Sequence, residues 1–131
     1  MNGHTAIKAL LTRSTALAAL VGTRIYPDIM PDNPVYPAVT YQKLSGSSER
    51  GAVADPALML AVFQVSSWAG SRLESARVAS AVRAALDRIR KTTLAGVVID
   101  DVFYAGDVDL FDNDTRTYFN HCSFKIYFRD S

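Results

Sequence analysis

Residues 58–68 read LMLAVFQVSSW and decide the fold. Apolar residues follow one another from Leu60 to Phe63, which is typical of a strand covered on both faces. We therefore expect a central strand here. After Gly70, Ser71-Arg-Leu-Glu74 matches a capping box, in which the serine oxygen accepts a backbone N–H and the glutamate reaches back. A long helix is predicted to begin at this point.

The predicted helix carries an apolar stripe at helical spacing, formed by Val78, Val82, Ala85, Leu86 and Ile89. We expect this stripe to pack against the sheet, and the predicted helix also includes Arg90 and Lys91. The alanines of the segment allow a close approach.

An N-terminal helix is predicted over residues 5–20, followed by Gly22 at a position typical of a helix end. Ser14 or Thr15 can cap a new start. The segment is therefore one helix or two short ones.

Further strands are predicted at residues 39–45, 97–104 and 118–129. Four prolines make residues 26–37 an extended arm, because proline lacks a backbone donor. Residues 46–56 form a loop longer than a tight hairpin needs. We expect a single domain over residues 1–131, of the α+β class. Its sheet is predicted to be mostly antiparallel with about four strands, with an N-terminal helix and one long central helix packed against it.

Composition excludes several classes of protein. Fourteen basic and thirteen acidic residues give a net charge of +1, so the whole molecule has no bulk attraction to nucleic acid or anionic membranes. The longest apolar run is far shorter than the roughly 20 residues of a membrane span. The first residues lack the pattern of a secretory signal, and we expect synthesis and retention in the cytoplasm. Cys122 is the single cysteine, which we expect to be a small buried residue.

Six aspartates lie close together in the sequence, at positions 100, 101, 107, 109, 112 and 114. Asp107-x-Asp109 opens like a calcium-binding loop, but Asp112 stands where glycine is required and Tyr118 where glutamate is required. We interpret the cluster as a solvated turn between strands, with an acidic docking surface and a metal site as alternatives. His121 and Cys122 are neighbours on a strand and point to opposite faces, so they are not expected to share an ion.

The predicted long helix is strongly basic, with six cations against Glu74 and Asp87. A solvated helix face is one interpretation, docking is another, and contact with the DNA backbone is a third. A basic helix and an acidic loop on one domain are complementary when copies pack head to tail. The predicted contacts with subunits or partners are Arg72, Arg77, Arg83, Arg88, Arg90, Asp107, Asp109, Asp112, Asp114, Ser47, Ser48, Glu49 and Arg50.

Several segments in a fixed order resemble the tail-completion, or tail-terminator, proteins of long-tailed bacteriophages and prophages. The first helix runs into LVGTRIYP at residues 20–27, and PAVTY follows at residues 37–41. FQVSSW at residues 63–68 leads into the alanine- and arginine-rich helix. DLFDNDT at residues 109–115 precedes a last strand that closes on FKIYF at residues 124–128.

The resemblance implies a structural virion protein at the head-tail junction, a subunit of a ring that is expected to be a hexamer. Such a ring caps the tail tube and offers a docking surface to the head connector, and DNA passes through it without sequence-specific binding. The family implies no catalytic residue, metal or cofactor. The alternatives are a head-closure or other minor tail protein, a metal-dependent enzyme acting on nucleic acid, and a DNA-contacting module.

Overall fold

The computed structural model describes residues 2–48 and 58–129. Two short helices open the chain, α1 (Asn2–Thr12) and α2 (Thr15–Val21). The Ser14 side chain accepts a hydrogen bond from the backbone N–H of Leu17 at 3.2 Å and so caps α2. Of the two predicted arrangements, the structure confirms the one with a break at this serine.

Helix α3 (Arg72–Leu86) begins where the capping box predicts, because the Ser71 side chain accepts the backbone N–H of Glu74 at 3.2 Å. Its end differs from the prediction. Arg88 adopts a φ of 58° and turns the chain immediately after the helix. Arg88, Ile89 and Arg90 therefore lie in a turn and a following strand, and the prediction that placed them on the helix was wrong.

The described residues form one six-stranded sheet in the order β1-β2-β3-β6-β5-β4. The pair β1–β2 is parallel, and the other pairs are antiparallel. The strands are β1 (Ile25–Pro27), β2 (Ala38–Ser48), β3 (Leu58–Ala69), β4 (Ile89–Leu94), β5 (Val97–Asp112) and β6 (Thr117–Arg129).

The predicted fold class was wrong in its details, since the described chain has a mixed, curled sheet of six strands with three helices instead of about four strands with two helices. Strand β1 overlaps the first two residues of the proline-rich arm and pairs with the start of β2. Strand β4 follows the turn at Arg88. Both lie at the edges of the sheet, where a strand needs only one partner and its sequence signal is weak.

Strand β5 is much longer than predicted and carries Asp107, Asp109 and Asp112, which we expected in a turn. Aspartate has a low intrinsic preference for strands. Here the whole length of β5 pairs with β6, as far as Asp112 opposite Thr117. Tertiary pairing therefore overrides local preference, and the turn is confined to residues 113–116.

The sheet curls around the helices, since α1 contacts β1 and β2 near one edge and also β4 and β5 at the other. Strand β3 lies inside the sheet, as predicted. The concave face holds the core, in which Phe63, Phe124, Ile7, Leu10 and Leu86 are fully buried. On the convex face, no described helix covers the strands. None of the described helices is long and apolar enough to cross a membrane.

Candidate subunit contact surfaces

Arg72, the first residue of α3, is held against β5 and β6 of its own chain. Its Nη1 lies 3.3 Å from Asp109 Oδ1. Its guanidinium donates hydrogen bonds to the carbonyl oxygens of Leu110 at 2.9 Å and Phe119 at 3.3 Å. The same group lies 5.1 Å from the centre of the Tyr118 ring, within cation–π range. Arg72 and Asp109, which were both predicted to contact other subunits or partners, are thus paired with each other within one subunit.

Arg83 faces the same two strands, about three turns further along α3. Its guanidinium carbon lies 3.9 Å from the centre of the Tyr104 ring, and its Nε lies 3.9 Å from Asp87. The Tyr104 hydroxyl donates a hydrogen bond to Asp107, which raises the pKa of Tyr104. Hydrogen bonds from Tyr104 and then Asn120 lower the pKa of Asp107, so this carboxylate stays charged.

Asn120 joins two of the predicted aspartates on the concave face. Its Nδ2 donates to Asp107 Oδ2 and to Asp109 Oδ1, both at 2.9 Å. Carboxylates only accept hydrogen bonds, which determines the orientation of the amide. A cleft of about 250 Å³ lies between α3 and these strands, lined in part by Arg83, Asp107 and Asn120. The basic helix and the acidic strand therefore meet inside one chain.

Arg77, Arg88 and Arg90 form no ion pair with Asp107 or Asp109 of β5. Arg77 and Arg90 are exposed and form no ion pair with a carboxylate in residues 2–48 and 58–129. The Arg88 side chain is 87% exposed, and its Nε lies 3.9 Å from Asp87. Arg77 and Arg90 therefore leave positive charge at the surface, and the largely exposed Arg88 shares the Asp87 carboxylate with Arg83.

Asp112 and Asp114 lie at the end of β5 and in the turn that follows. Asp112 Oδ1 accepts the backbone N–H of Asp114 at 2.9 Å, an interaction that stabilises tight turns. Throughout the described parts of the chain, no group of three or more His, Cys, Asp or Glu residues is placed to hold a metal ion.

The predicted loop at residues 46–56 is partly a strand, because β2 continues to Ser48. Ser47 is exposed at the end of this strand. Glu49 and Arg50 lie outside the described residues, as does the rest of the predicted loop. Their part in contacts stays a prediction.

His121 and Cys122 point to opposite faces of the sheet, as predicted. The His121 Nδ1 lies 2.6 Å from Ser66 Oγ and 3.3 Å from Gln64 Nε2. Burial lowers the pKa of His121. Cys122 is buried on the concave face, and burial raises the pKa of its thiol to about 12.

A groove at one end of the convex face was not predicted. Trp68 lies at its base, where the indole Nε1 donates to Thr40 Oγ1 at 2.9 Å and the ring stacks on Phe119 with centroids 4.5 Å apart. The proline-rich arm and the β5–β6 turn complete a groove of about 300 Å³. We call it the arm groove, and its lining includes Asp28, Ile29, Tyr36, Trp68, Asp112 and Thr115. Because apolar residues have no regular spacing in the arm, the sequence does not indicate the surface on which the arm packs.

Comparison with known proteins gives one family and a shared fold. The family model described as "Tail completion protein gp17" matches residues 5–129. A chain from the virion of a native gene transfer agent (GTA) particle superposes with a TM-score of 0.72 at 17% identity, over 95% of this chain and 92% of that one. A second solved structure superposes with a TM-score of 0.57 at 13% identity, over 95% and 94% of the two chains. No curated protein matches the sequence.

Proposed function

Because the chain belongs to the tail completion protein gp17 family of structural phage tail proteins, we propose that it is a subunit of a ring that caps the tail tube at the head-tail junction. The match over residues 5–129 is the observation that carries this proposal. The ring is expected to be a hexamer. One side binds the major tail tube protein, and the other docks the head-closure or connector protein. DNA passes through the lumen without sequence-specific binding.

A location in the virion is part of the same proposal. The gene transfer agent chain of similar fold belongs to a virion particle. We propose that this chain is made in the host cytoplasm and becomes part of the tail at the head-tail interface. No catalytic role is assigned, because the family is one of structural proteins.

The convex face supports a role in assembly. Val108 and Leu110 are 49% and 41% exposed on neighbouring positions of one face of β5. Leu110 lies opposite Phe119, which in turn lies opposite Trp68, so apolar side chains form a row across three strands. Contiguous exposed apolar surface of this kind is typical of protein contacts.

Charge supports contacts between unlike surfaces of the subunit. Arg77, Arg88 and Arg90 present positive charge, whereas Asp112 ends β5 and Asp114 lies in the turn that follows. Arg72, Arg83, Asp107 and Asp109 are paired with one another or with aromatic rings, and we propose that they shape the packing surface. Ser47 and Ser48 at the end of β2, together with Glu49 and Arg50, which lie outside the described residues, complete the proposed contacts.

Native mass spectrometry tests the proposal. We expect the purified chain to form a closed ring, either alone or when the major tail tube protein is added as a template. Tube protein and connector protein immobilised separately should each retain the ring. A chain that stays monomeric with the tube protein present, and that binds neither partner, would contradict the proposal.

A further inference from the structure

We propose that the arm groove binds an arginine side chain of a second copy of this chain, supplied by Arg88 or Arg90. The inference rests on the proposed ring and assigns a specific contact between its neighbours.

The lining of the arm groove suits a guanidinium group. Asp28 and Asp112 bring two carboxylates, and Tyr36 and Trp68 bring two aromatic rings. Among the described residues that line the groove, none is basic. A guanidinium donates paired hydrogen bonds to carboxylates and also stacks on aromatic faces, which a compact ammonium does less well. An arginine therefore matches both elements of the lining.

The groove is built before any partner arrives. The hydrogen bond to Thr40 and the stack on Phe119 hold the Trp68 ring in place. The backbone N–H of Asp28 donates to the Tyr41 carbonyl oxygen at 2.9 Å, which anchors the arm to β2. Asp112 is oriented by the backbone N–H of Asp114. Preorganised groups lose little conformational freedom on binding, and this favours association.

Arg88 and Arg90 are the arginines best placed to enter the groove of a neighbour. Arg88 projects from the turn after α3 with 87% of its side chain exposed. Arg90 is exposed on β4, which is an edge strand. Arg72 and Arg83 are already engaged with Asp109 and Tyr104, so they are not available in the same way.

Arg88 and Arg90 cannot reach the arm groove of their own subunit. In the register of β4 and β5, Arg90 lies opposite Asp101 near the start of β5. Asp112 is the last residue of that strand. The eleven residue steps from Asp101 to Asp112 rise about 3.3 Å each, so Arg90 lies roughly 30 Å or more from Asp112. These two arginines can therefore enter only the arm groove of a second copy. Because donor and groove are different surfaces, the contact is head to tail, the kind of contact that closes into rings.

Paired variants test the inference, under conditions in which the unmodified chain assembles. D28N/D112N keeps the shape of the groove and removes its charge, and R88Q/R90Q removes the donors. We expect each to weaken self-association about tenfold or more by sedimentation velocity, because an unpaired partner of a charge pair is left behind. R13Q, which removes an exposed arginine that is neither a proposed donor nor part of the arm groove, is the control and should assemble normally. Circular dichroism checks that every variant is folded.

Mixing the two variants gives the sharper result. D28N/D112N still offers its arginines and R88Q/R90Q still offers its groove, so one contact forms between them and none can follow. We expect heterodimers in the mixture and little assembly in either variant alone. Trp68, the single tryptophan, should change its fluorescence in the mixture as it does in the unmodified ring.

The outcomes separate the inference from the proposed function. Rings that form normally from both variants would overturn the groove contact and leave the ring intact. Open oligomers of the unmodified chain that both variants abolish would support the groove contact and contradict the ring. Variants that self-associate normally but no longer bind the tail tube protein would overturn the second copy as occupant. A chain that never associates would overturn both.

Discussion

The Arg72 guanidinium and the Asp109 carboxylate lie 3.3 Å apart in the same chain, and they connect the start of α3 to β5. Both residues are predicted from sequence as parts of separate, opposed surfaces. In the structure they form one intramolecular pair beside the cleft between α3 and the sheet.

Removing either partner should weaken the fold modestly. Arg72→Gln and Asp109→Asn are each expected to lower the free energy of unfolding. The coupling between them in a double-mutant cycle should be about 0.2–1 kcal/mol, because both side chains are partly exposed. Urea unfolding at low salt measures it. Arg77→Gln on the same helix serves as the control, and a coupling of zero would show that the pair contributes nothing to stability.

Leu86→Asp should prevent folding. Leu86 is fully buried at the end of α3, and an unpaired carboxylate there costs several kcal/mol, a large share of the roughly 5–15 kcal/mol that stabilises a domain. Circular dichroism and thermal unfolding report the loss. Leu73→Asp makes the same change in the first turn of α3, where the side chain is 63% exposed, and should leave the fold intact. A cooperative melt of the Leu86→Asp protein near the parent temperature would refute the packing of this helix.

His121 should make stability depend on pH. Burial lowers its pKa in the folded state below the ordinary value of 6.5, so the unfolded chain binds the proton more readily. Stability is therefore lost as the pH falls through about 6.5 toward the folded-state pKa, and the loss from this group stops below that pKa. Urea unfolding between pH 8 and pH 5 measures the slope. His121→Gln should flatten it, and an unchanged slope would assign the effect to other groups.

Cys122 should be unreactive until the chain unfolds. A thiol pKa of about 12 leaves on the order of a thousandfold less thiolate at pH 8 than an ordinary cysteine has. A thiol-reactive chromogenic disulfide should label the protein slowly in buffer and rapidly in urea, at a rate that follows unfolding. Immediate labelling of the folded protein would contradict the burial of this side chain.

The sequence predicted the features that depend on short-range chemistry. Ser14 and Ser71 identify two helix starts because a side-chain oxygen satisfies backbone donors a few residues away. Leu60 to Phe63 identify the interior strand because an apolar run without alternation is typical of a strand inside a sheet, although no described helix covers its convex face. The order of the quoted motifs along the chain also indicated the family.

Other features depend on partners distant in sequence. Asp107 and Asp109 belong to a strand because β6 pairs with it and Asn120 bonds both carboxylates, and neither interaction is visible locally. The arm groove depends on Trp68 meeting residues from the arm and from the β5–β6 turn.

By itself, the sequence determined the helix starts, the interior strand and the near-neutral charge of the chain, since local hydrogen bonds, periodicity and composition encode these properties. The family was indicated by the resemblance of its ordered motifs to those of known proteins. The tertiary structure alone decided which charges pair within the subunit and which stay exposed at its surface. That division depends on distances across the sheet, which the order of residues along the chain does not contain.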